Sequence, residues 1–144
     1  MIGGRDAGPE MLREAEEAGR LIAQAGCILI TGGLSGVMEA ASRGAKEAGG
    51  LTVGILPADD TESANPYVEI PIATGFGIGR NVIIARSADA LVAVGGQYGT
   101  LSEIAYALQL GRPVAGIGSW KIEGVHEAPD AASAVSHVLG KIGR

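Results

Sequence analysis

Short apolar runs alternate with helix-forming segments along the whole chain, and this alternation restricts the fold more than any other feature. Strand character is clearest over 27–31, 51–56, 89–94 and 113–117. Because these runs are apolar at consecutive positions, both faces of the sheet they form must be covered by helices. The pattern therefore predicts an α/β fold with one doubly wound parallel sheet, and the 144 residues suit a single domain over 1–144.

The first strand of this sheet is predicted to be short. Met1–Gly4 has the character of the last turn of a strand, and Pro9 then begins a helix that reaches about residue 25. This late start raises the question whether the natural N-terminus lies upstream of Met1. Such a short strand leaves a groove in the sheet unless a neighbour covers it. The other predicted elements are helices over 37–45, 80–87, 100–110 and 130–139 and an edge strand over 67–72.

The composition predicts close packing between these elements. Aromatic residues make up only 3% of the chain, whereas 24 residues are glycine. The core must therefore be built from Ala, Val, Ile and Leu, with backbones that approach closely.

A glycine-rich turn joins the strand ending at Val94 to the next predicted helix. Glycines let the backbone approach a bulky anion, and the first amides of a helix have no partner within it. The helix dipole also favours negative charge at this end. The turn is therefore predicted to bind a phosphate group through Gly95, Gly96, Gln97, Tyr98, Gly99 and Thr100.

A second turn of the same type strengthens this prediction. It follows the strand 27–31 and consists of Gly32, Gly33, Leu34, Ser35 and Gly36. In a doubly wound sheet both turns lie at the carboxyl ends of strands, where such sheets bind ligands. We therefore expect Gly32, Gly33, Ser35 and Gly36 to share a ligand crevice with the first turn.

Arg80 and Glu103 are the two charged residues with candidate functional roles. Arg80 begins a predicted helix, where a cation opposes the helix dipole, so an anionic partner would explain it. A solvated arginine, or an ion pair with Asp89 or Glu103, explains it equally well. Thr100 and Glu103 also have the spacing of a capping box, in which both side chains serve only the start of their own helix.

Several classes of site are disfavoured by missing motifs. The first strand is not followed by G-x-G-x-x-G, and no G-x-x-x-x-G-K-[ST] is present, which argues against dinucleotide and P-loop sites. The lysines lie outside both glycine-rich turns, so no Schiff-base nucleophile is visible. His126 and His137 have no further ligand at a metal-like spacing, and no metal site is predicted.

Charge and hydropathy indicate the cellular setting. The net charge of −5 and the absence of Lys/Arg clusters argue against nucleic acid as a partner. No run is long enough to span a membrane. The single cysteine, Cys27, cannot form a disulfide within the chain and reads as a small core residue. We therefore expect a cytoplasmic protein.

Both glycine-rich motifs resemble those of the LONELY GUY and molybdenum-cofactor-carrier superfamily, a Rossmann-like group often mislabelled lysine decarboxylase. The first family motif, G-G-x-x-G-[LV]-M, corresponds to 32–38, and the second, P-G-G-x-G-T-x-x-E, corresponds to 95–103. Gly95 replaces the family's proline and Gln97 replaces a glycine. Arg80 and Glu103 fall on the catalytic residues of the superfamily's hydrolases, but the context of Arg80 is closer to the carrier branch.

The resemblance implies two functions of different class. A binding or carrier protein would hold the phosphate of a nucleotide or molybdopterin-type cofactor, with no cofactor required for chemistry. A nucleoside 5′-monophosphate phosphoribohydrolase would instead use Arg80 and Glu103 to release the base. The altered hydrolase motif favours the carrier. The resemblance also implies a homodimer, for which a helical seam is available, although core packing explains its residues equally well: Ala105, Ala107, Leu108 and Leu110.

Overall fold

The computed structural model describes residues 1–144 and alternates strands with helices as predicted. A single 3₁₀ turn, Gly77–Gly79, precedes the third helix. The elements are β1 (Ile2–Gly3), α1 (Pro9–Gln24), β2 (Leu29–Thr31), α2 (Val37–Glu47), β3 (Thr52–Leu56), β4 (Ile70–Ala73), α3 (Arg80–Ser87), β5 (Leu91–Val94), α4 (Tyr98–Gln109), β6 (Val114–Ile117), β7 (Val125–Glu127) and α5 (Ala131–Lys141).

All strands pair in parallel, in one ladder of order β1-β5-β6-β7 and a second of order β2-β3-β4. The terminal nitrogen of Met1 donates to the Ile30 carbonyl oxygen at 2.9 Å and joins the two ladders. The combined order is therefore β4-β3-β2-β1-β5-β6-β7. Connections diverge to either side of β1, which makes this strand the topological switch point of a doubly wound, Rossmann-like sheet.

Helices cover both faces of the sheet. Helices α1, α2 and α5 pack over one apolar cluster, and α3 and α4 over the other. The contact between α1 and α2 depends on glycine, because a Cβ at Gly19 would lie 2.0 Å from the Ala41 carbonyl oxygen. A Cβ at Gly44 would meet the Glu16 carbonyl at the same distance. The close backbone packing predicted from the glycine content is present here.

Several predicted boundaries were wrong. Strand β2 begins at Leu29, because Gly26 has φ +76° and the Cys27 amide donates back to the Ile22 carbonyl at the end of α1. Cys27 is therefore a half-buried residue of a helix terminus rather than a core residue. Strand β7 was missed because it has only three residues, two of them exposed, and no apolar run.

Strand β1 is short, as predicted, with only two residues. Beside it, at the amino-terminal ends of β2 and β5, an apolar groove of about 440 Å³ opens between Ile28 and Ile30 on one wall and Val92 on the other. The edge strand β4 is exposed throughout. None of the helices combines the length and hydropathy needed to cross a membrane.

Candidate functional site

A cavity of about 510 Å³ lies at the carboxyl ends of the central strands, beside the switch point at β1. The segments that follow β1, β2 and β5 form its wall, together with the first residues of α3 and α4. This is the edge of a doubly wound sheet where ligands bind. Its volume is in the range of small-molecule sites.

The turn between β5 and α4 presents free backbone amides to this cavity. Helix α4 begins at Tyr98, and its first bond runs from the Leu101 amide to the Gln97 carbonyl. The amides of residues 98–100 therefore have no partner within the helix. Gly96 has φ +97°, and a Cβ there would lie 2.2 Å from Thr100 Oγ1. Only glycine allows the backbone to turn this closely over Thr100.

Two side chains from the segment after β6 hold this turn in place. The hydroxyl of Ser119 donates to the Gly95 carbonyl oxygen at 2.6 Å. The indole Nε1–H of Trp120 donates to the Gln97 carbonyl oxygen at 3.0 Å. These two hydrogen bonds fix the directions of the Gly95 and Gln97 carbonyl groups. The amides at the start of α4 therefore remain oriented for an anion without support from a ligand.

The capping-box interpretation of Thr100 and Glu103 is wrong. Gln97 is the N-cap of α4, and no side chain accepts a hydrogen bond at this cap. Thr100 and Glu103 lie one turn apart on the same helix face, are only 3% and 6% exposed, and line the cavity. Both side chains are therefore positioned for the cavity rather than for their own helix.

Arg80 lies in the wall of the cavity as a buried cation. Its Nε–H donates to the Ile55 carbonyl at 2.9 Å, and its guanidinium also contacts the Gly32 carbonyl and the side-chain oxygen of Asn81. No carboxylate lies within ion-pair distance. Arg80 is therefore neither solvated nor paired with Asp89 or Glu103. Burial lowers the pKa of Arg80, and an anion would compensate this desolvation.

Glu103 faces the same cavity with no hydrogen bond to a protein group. Burial raises its pKa to about 7, and the positive charges of Arg80 and the Met1 ammonium oppose this rise only in part. The Met1 amine is buried as well, and desolvation lowers its pKa to about 6. Near neutral pH the carboxyl group of Glu103 is thus present both as the acid and as the carboxylate.

The structure brings together seven of the residues selected from the sequence. The residues that line the cavity are Gly32, Arg80, Gly96, Gln97, Gly99, Thr100 and Glu103. Five others lie outside it: Gly33, Ser35, Gly36, Gly95 and Tyr98.

Two of these five have a different contact. The ring of Tyr98 is 80% exposed and stacks on Trp120. Gly36, with φ +69°, packs against the carbonyls of Gly4 and Arg5 and so supports the segment after β1.

Sequence reasoning missed the contribution of the segment after β1. Gly3, Gly4, Arg5 and Asp6 all line the cavity, and Arg5 adds a second arginine near Arg80. The available signal was the pair Gly3 and Gly4 at the end of a strand, a pattern similar to that of the other two turns. It was not recognised because so little of β1 precedes it.

Asn81 and Met38 were also missed. The side-chain amide of Asn81 donates to Ser102 Oγ at 3.1 Å and ties α3 to α4. Met38 of α2 lines the cavity from the opposite side. No set of three or more His, Cys, Asp or Glu side chains is placed to hold a metal ion. The site therefore consists of backbone amides, two arginines, the Thr100 hydroxyl, the Asn81 amide and two carboxyl groups, of which Asp6 is exposed and Glu103 is buried.

Comparison with known proteins agrees with this architecture. The family model described as the SLOG cluster4 family matches residues 1–140. The chain belongs to the SLOG cluster4 family. An uncharacterized protein of Archaeoglobus fulgidus is 50% identical to this SLOG protein over 135 residues, which cover 92% of this chain and 89% of the relative.

Two solved structures share the whole fold. The molybdenum cofactor binding protein of Rippkaea orientalis is 38% identical, with a TM-score of 0.91 over 96% of this chain and 92% of that protein. The molybdenum cofactor carrier protein of Chlamydomonas reinhardtii is 40% identical, with a TM-score of 0.86 over 99% of this chain and 94% of that protein. The resemblance to the carrier branch, inferred from the two glycine-rich motifs and the sequence around Arg80, is thereby confirmed.

Proposed function

We propose that this protein binds and carries a small phosphate-bearing ligand of the molybdopterin or nucleotide type. The observation that carries the proposal is the set of free amides at the start of α4, where Gly99 and Thr100 line the same cavity as the buried Arg80. Amides at a helix start bind phosphate, and a nearby arginine adds charge and hydrogen bonds. The structural neighbours from Rippkaea and Chlamydomonas are named for binding or carrying the molybdenum cofactor, which supports the cofactor as ligand.

The residues of the cavity fit such a ligand. The amides of residues 98–100 and the Thr100 hydroxyl would hold the phosphate, and Arg80 and Arg5 would balance its charge. A Cβ at Gly32 would lie 2.6 Å from Arg80 Nη2 and 2.8 Å from Met38 Sδ, so this glycine leaves room for the arginine. The cavity also contains apolar groups, from Met38 and Ile78, against which the rest of a ligand can pack.

The direct test is capture of the cofactor. The purified protein is mixed anaerobically with molybdopterin-type cofactor and passed through a sizing column, and molybdenum and pterin are measured in the protein fraction. We expect stoichiometric retention in the wild type and at least about a tenfold loss of affinity in Arg80→Met, because a charged hydrogen-bonding group is removed. The matched control is Arg86→Met, at an exposed position on the same helix, which should bind as the wild type does.

A second function is supported by Glu103. A carboxyl group with a pKa of about 7 beside an arginine suits general acid–base or electrostatic catalysis. The protein would then hydrolyse nucleoside 5′-monophosphates, with Glu103 acting on the water or the cationic sugar and Arg80 positioning the ribose or phosphate.

The two functions differ in whether free base is released. Incubation with a panel of nucleoside 5′-monophosphates, followed by chromatography, detects this release directly. Hydrolysis should fall by about 10² to 10⁴ in Glu103→Gln if the carboxyl group acts as acid or base. Thermal stabilisation by these compounds without base release supports the carrier. Hydrolysis that is equally fast in Glu103→Gln rules out the catalytic role.

A homodimer remains part of the proposal. Of the predicted seam on α4, Ala107 is buried in the core of its own chain, whereas Ala105 and Leu110 are exposed, as is the neighbouring Tyr106. An exposed apolar stripe of this kind can pack against a second copy. Light scattering should give twice the mass of the chain, and a monomer at every concentration tested would remove the dimer.

A further inference from the structure

The side chain of Glu103 is only 6% exposed, and its carboxyl group faces the cavity without a hydrogen-bond partner in the protein. It accepts no hydrogen bond, and Arg80 lies beyond ion-pair distance. A carboxyl group that is largely removed from solvent and has no protein donor costs free energy, which a ligand in the cavity can offset. Its position on the cavity wall means that a bound molecule can supply the missing partner.

An anion bound at the start of α4 would lie close to this carboxyl group. Thr100 is one turn before Glu103 on the same face, and both line the cavity. A carboxylate there would repel a doubly charged tetrahedral anion at close range. The neutral acid would instead offer an O–H donor to an oxygen of the anion.

We propose that Glu103 recognises the anion as the neutral acid, donating its O–H to an anion oxygen, so that above neutral pH the site takes up one proton from solvent as the ligand binds. This inference rests on the carrier function proposed above. It makes Glu103 a specificity residue that distinguishes oxygen acceptors from ligands that present a donor at the same place.

The groups that face Glu103 leave it as the main titrating group above neutral pH. Arg80 from α3 and Arg5 from the segment after β1 are cations, and Asp6 is an anion at the cavity wall. The Met1 amine, from β1, loses its charge at lower pH, with a pKa of about 6. Helix α2 presents only the uncharged Met38.

The sign of the pH dependence follows from the pKa of Glu103, which burial raises to about 7. Below that pH the acid predominates and no proton has to be taken up, so affinity is highest. Above it each molecule must first bind a proton, and affinity falls about tenfold per pH unit. From about pH 6.5 to pH 8.5 the expected loss is roughly twentyfold.

Sulfate is the probe, because it has the shape of a phosphate group and stays a dianion throughout this pH range. Its dissociation constant is measured by NMR chemical-shift titration at several pH values in the wild type, Glu103→Gln and Glu123→Gln. Glu123 is an exposed residue in the loop before β7 and serves as the matched control. We expect the roughly twentyfold loss in the wild type and in Glu123→Gln. Glu103→Gln, which also lacks the carboxylate charge, should lose less than about threefold and should bind more tightly than the wild type at pH 8.5.

Each other result overturns the inference in a recognisable way. A wild-type affinity that does not change with pH, or an equal slope in Glu103→Gln, removes proton uptake but leaves anion binding intact. An affinity that rises with pH means that the carboxylate is the recognising form. Failure of sulfate to bind either protein at any pH contradicts the phosphate site itself, and the inference with it.

A measurement on the wild type alone covers the case in which Glu103→Gln does not fold. The side-chain carboxyl carbon of Glu103 is followed by ¹³C NMR across the same pH range, with and without saturating sulfate. Sulfate should raise the pKa of Glu103 by about two units or more, the shift that a roughly twentyfold loss of affinity requires, because the bound dianion disfavours the carboxylate. An unchanged pKa would contradict the inference.

Discussion

The ionisation of Glu103 should destabilise the ligand-free protein, and the size of the effect can be worked out. Burial raises the pKa of this carboxyl group from 4.5 to about 7. Between these two values the folded protein holds a proton that the unfolded chain has lost, so stability falls as pH rises. A shift of this size corresponds to about 3 kcal/mol, fully developed above neutral pH.

The substitution Glu103→Gln removes this cost while keeping a side chain of nearly the same shape. Urea denaturation is measured for both proteins from about pH 4.5 to pH 8.5. We expect the variant to gain stability relative to the wild type as pH rises, by about 3 kcal/mol across the range. The Met1 amine has a lowered pKa and acts in the opposite sense between about pH 6 and 8, but it is present in both proteins. The difference between the two curves, rather than either curve alone, therefore reports the ionisation of Glu103 together with its charge interaction with the Met1 amine.

Glu123→Gln again serves as control, since it removes one negative charge from an exposed position. Its stability relative to the wild type should be nearly independent of pH. A difference between Glu103→Gln and the wild type that stays constant within about 0.5 kcal/mol across the range would refute the reasoning. The carboxyl group would then be solvated in the cavity rather than buried.

Three further perturbations test the packing. Gly96→Ala should destabilise the protein by more than about 1 kcal/mol in urea denaturation and should weaken anion binding, because Gly96 has a left-handed φ and a Cβ there would overlap Thr100. Gly99→Ala is the control and should not lose stability, because the nearest side-chain atom to the new Cβ is 3.7 Å away. Gly19→Ala should lower the free energy of unfolding by at least about 1–3 kcal/mol, because the new Cβ separates α1 from α2. Gly140→Ala on α5, with open space around it, should raise the free energy of unfolding by about 0.5–1 kcal/mol. Equal changes in stability for the two variants would contradict the close contact between α1 and α2. Asp130→Ala should lower the melting temperature by removing the cap of α5, which accepts the Ser133 amide at 2.8 Å, and Asp130→Asn should largely retain it. The hydrogen bond also lowers the pKa of Asp130, so the stabilising effect of the cap charge should fade as pH falls toward and below that pKa.

The order of elements was predictable because it depends on local chemistry. Apolar strand runs, amphipathic helices and glycine turns are visible in neighbouring residues, and α3 was predicted at its observed bounds, Arg80–Ser87. The two glycine-rich turns at the carboxyl ends of β2 and β5 followed from the same patterns. Predicted boundaries were less accurate where residues of strand-like sequence belong to a turn. Cys27 is an example, because its amide donates to the Ile22 carbonyl at the end of α1.

The partners of Thr100 and Glu103 could not be predicted from their spacing. The same pattern fits a capping box and a pair of cavity residues, and the choice depends on where α4 begins. The local sequence allowed Thr100 as the cap, but α4 begins earlier, after the N-cap Gln97, and both side chains then line the cavity. Arg80 is a similar case, because its burial depends on carbonyls of Ile55 and Gly32, which are distant in sequence.

The sequence by itself determined the parallel α/β architecture and the two glycine-rich turns at the carboxyl ends of β2 and β5, since both depend on residues adjacent in the chain. Only the tertiary structure brought Arg5, Arg80 and Glu103 into one cavity. Their charges then act on one another through a buried space, and the pKa of Glu103 depends on that burial rather than on its sequence neighbours. Desolvation is a property of the assembled fold.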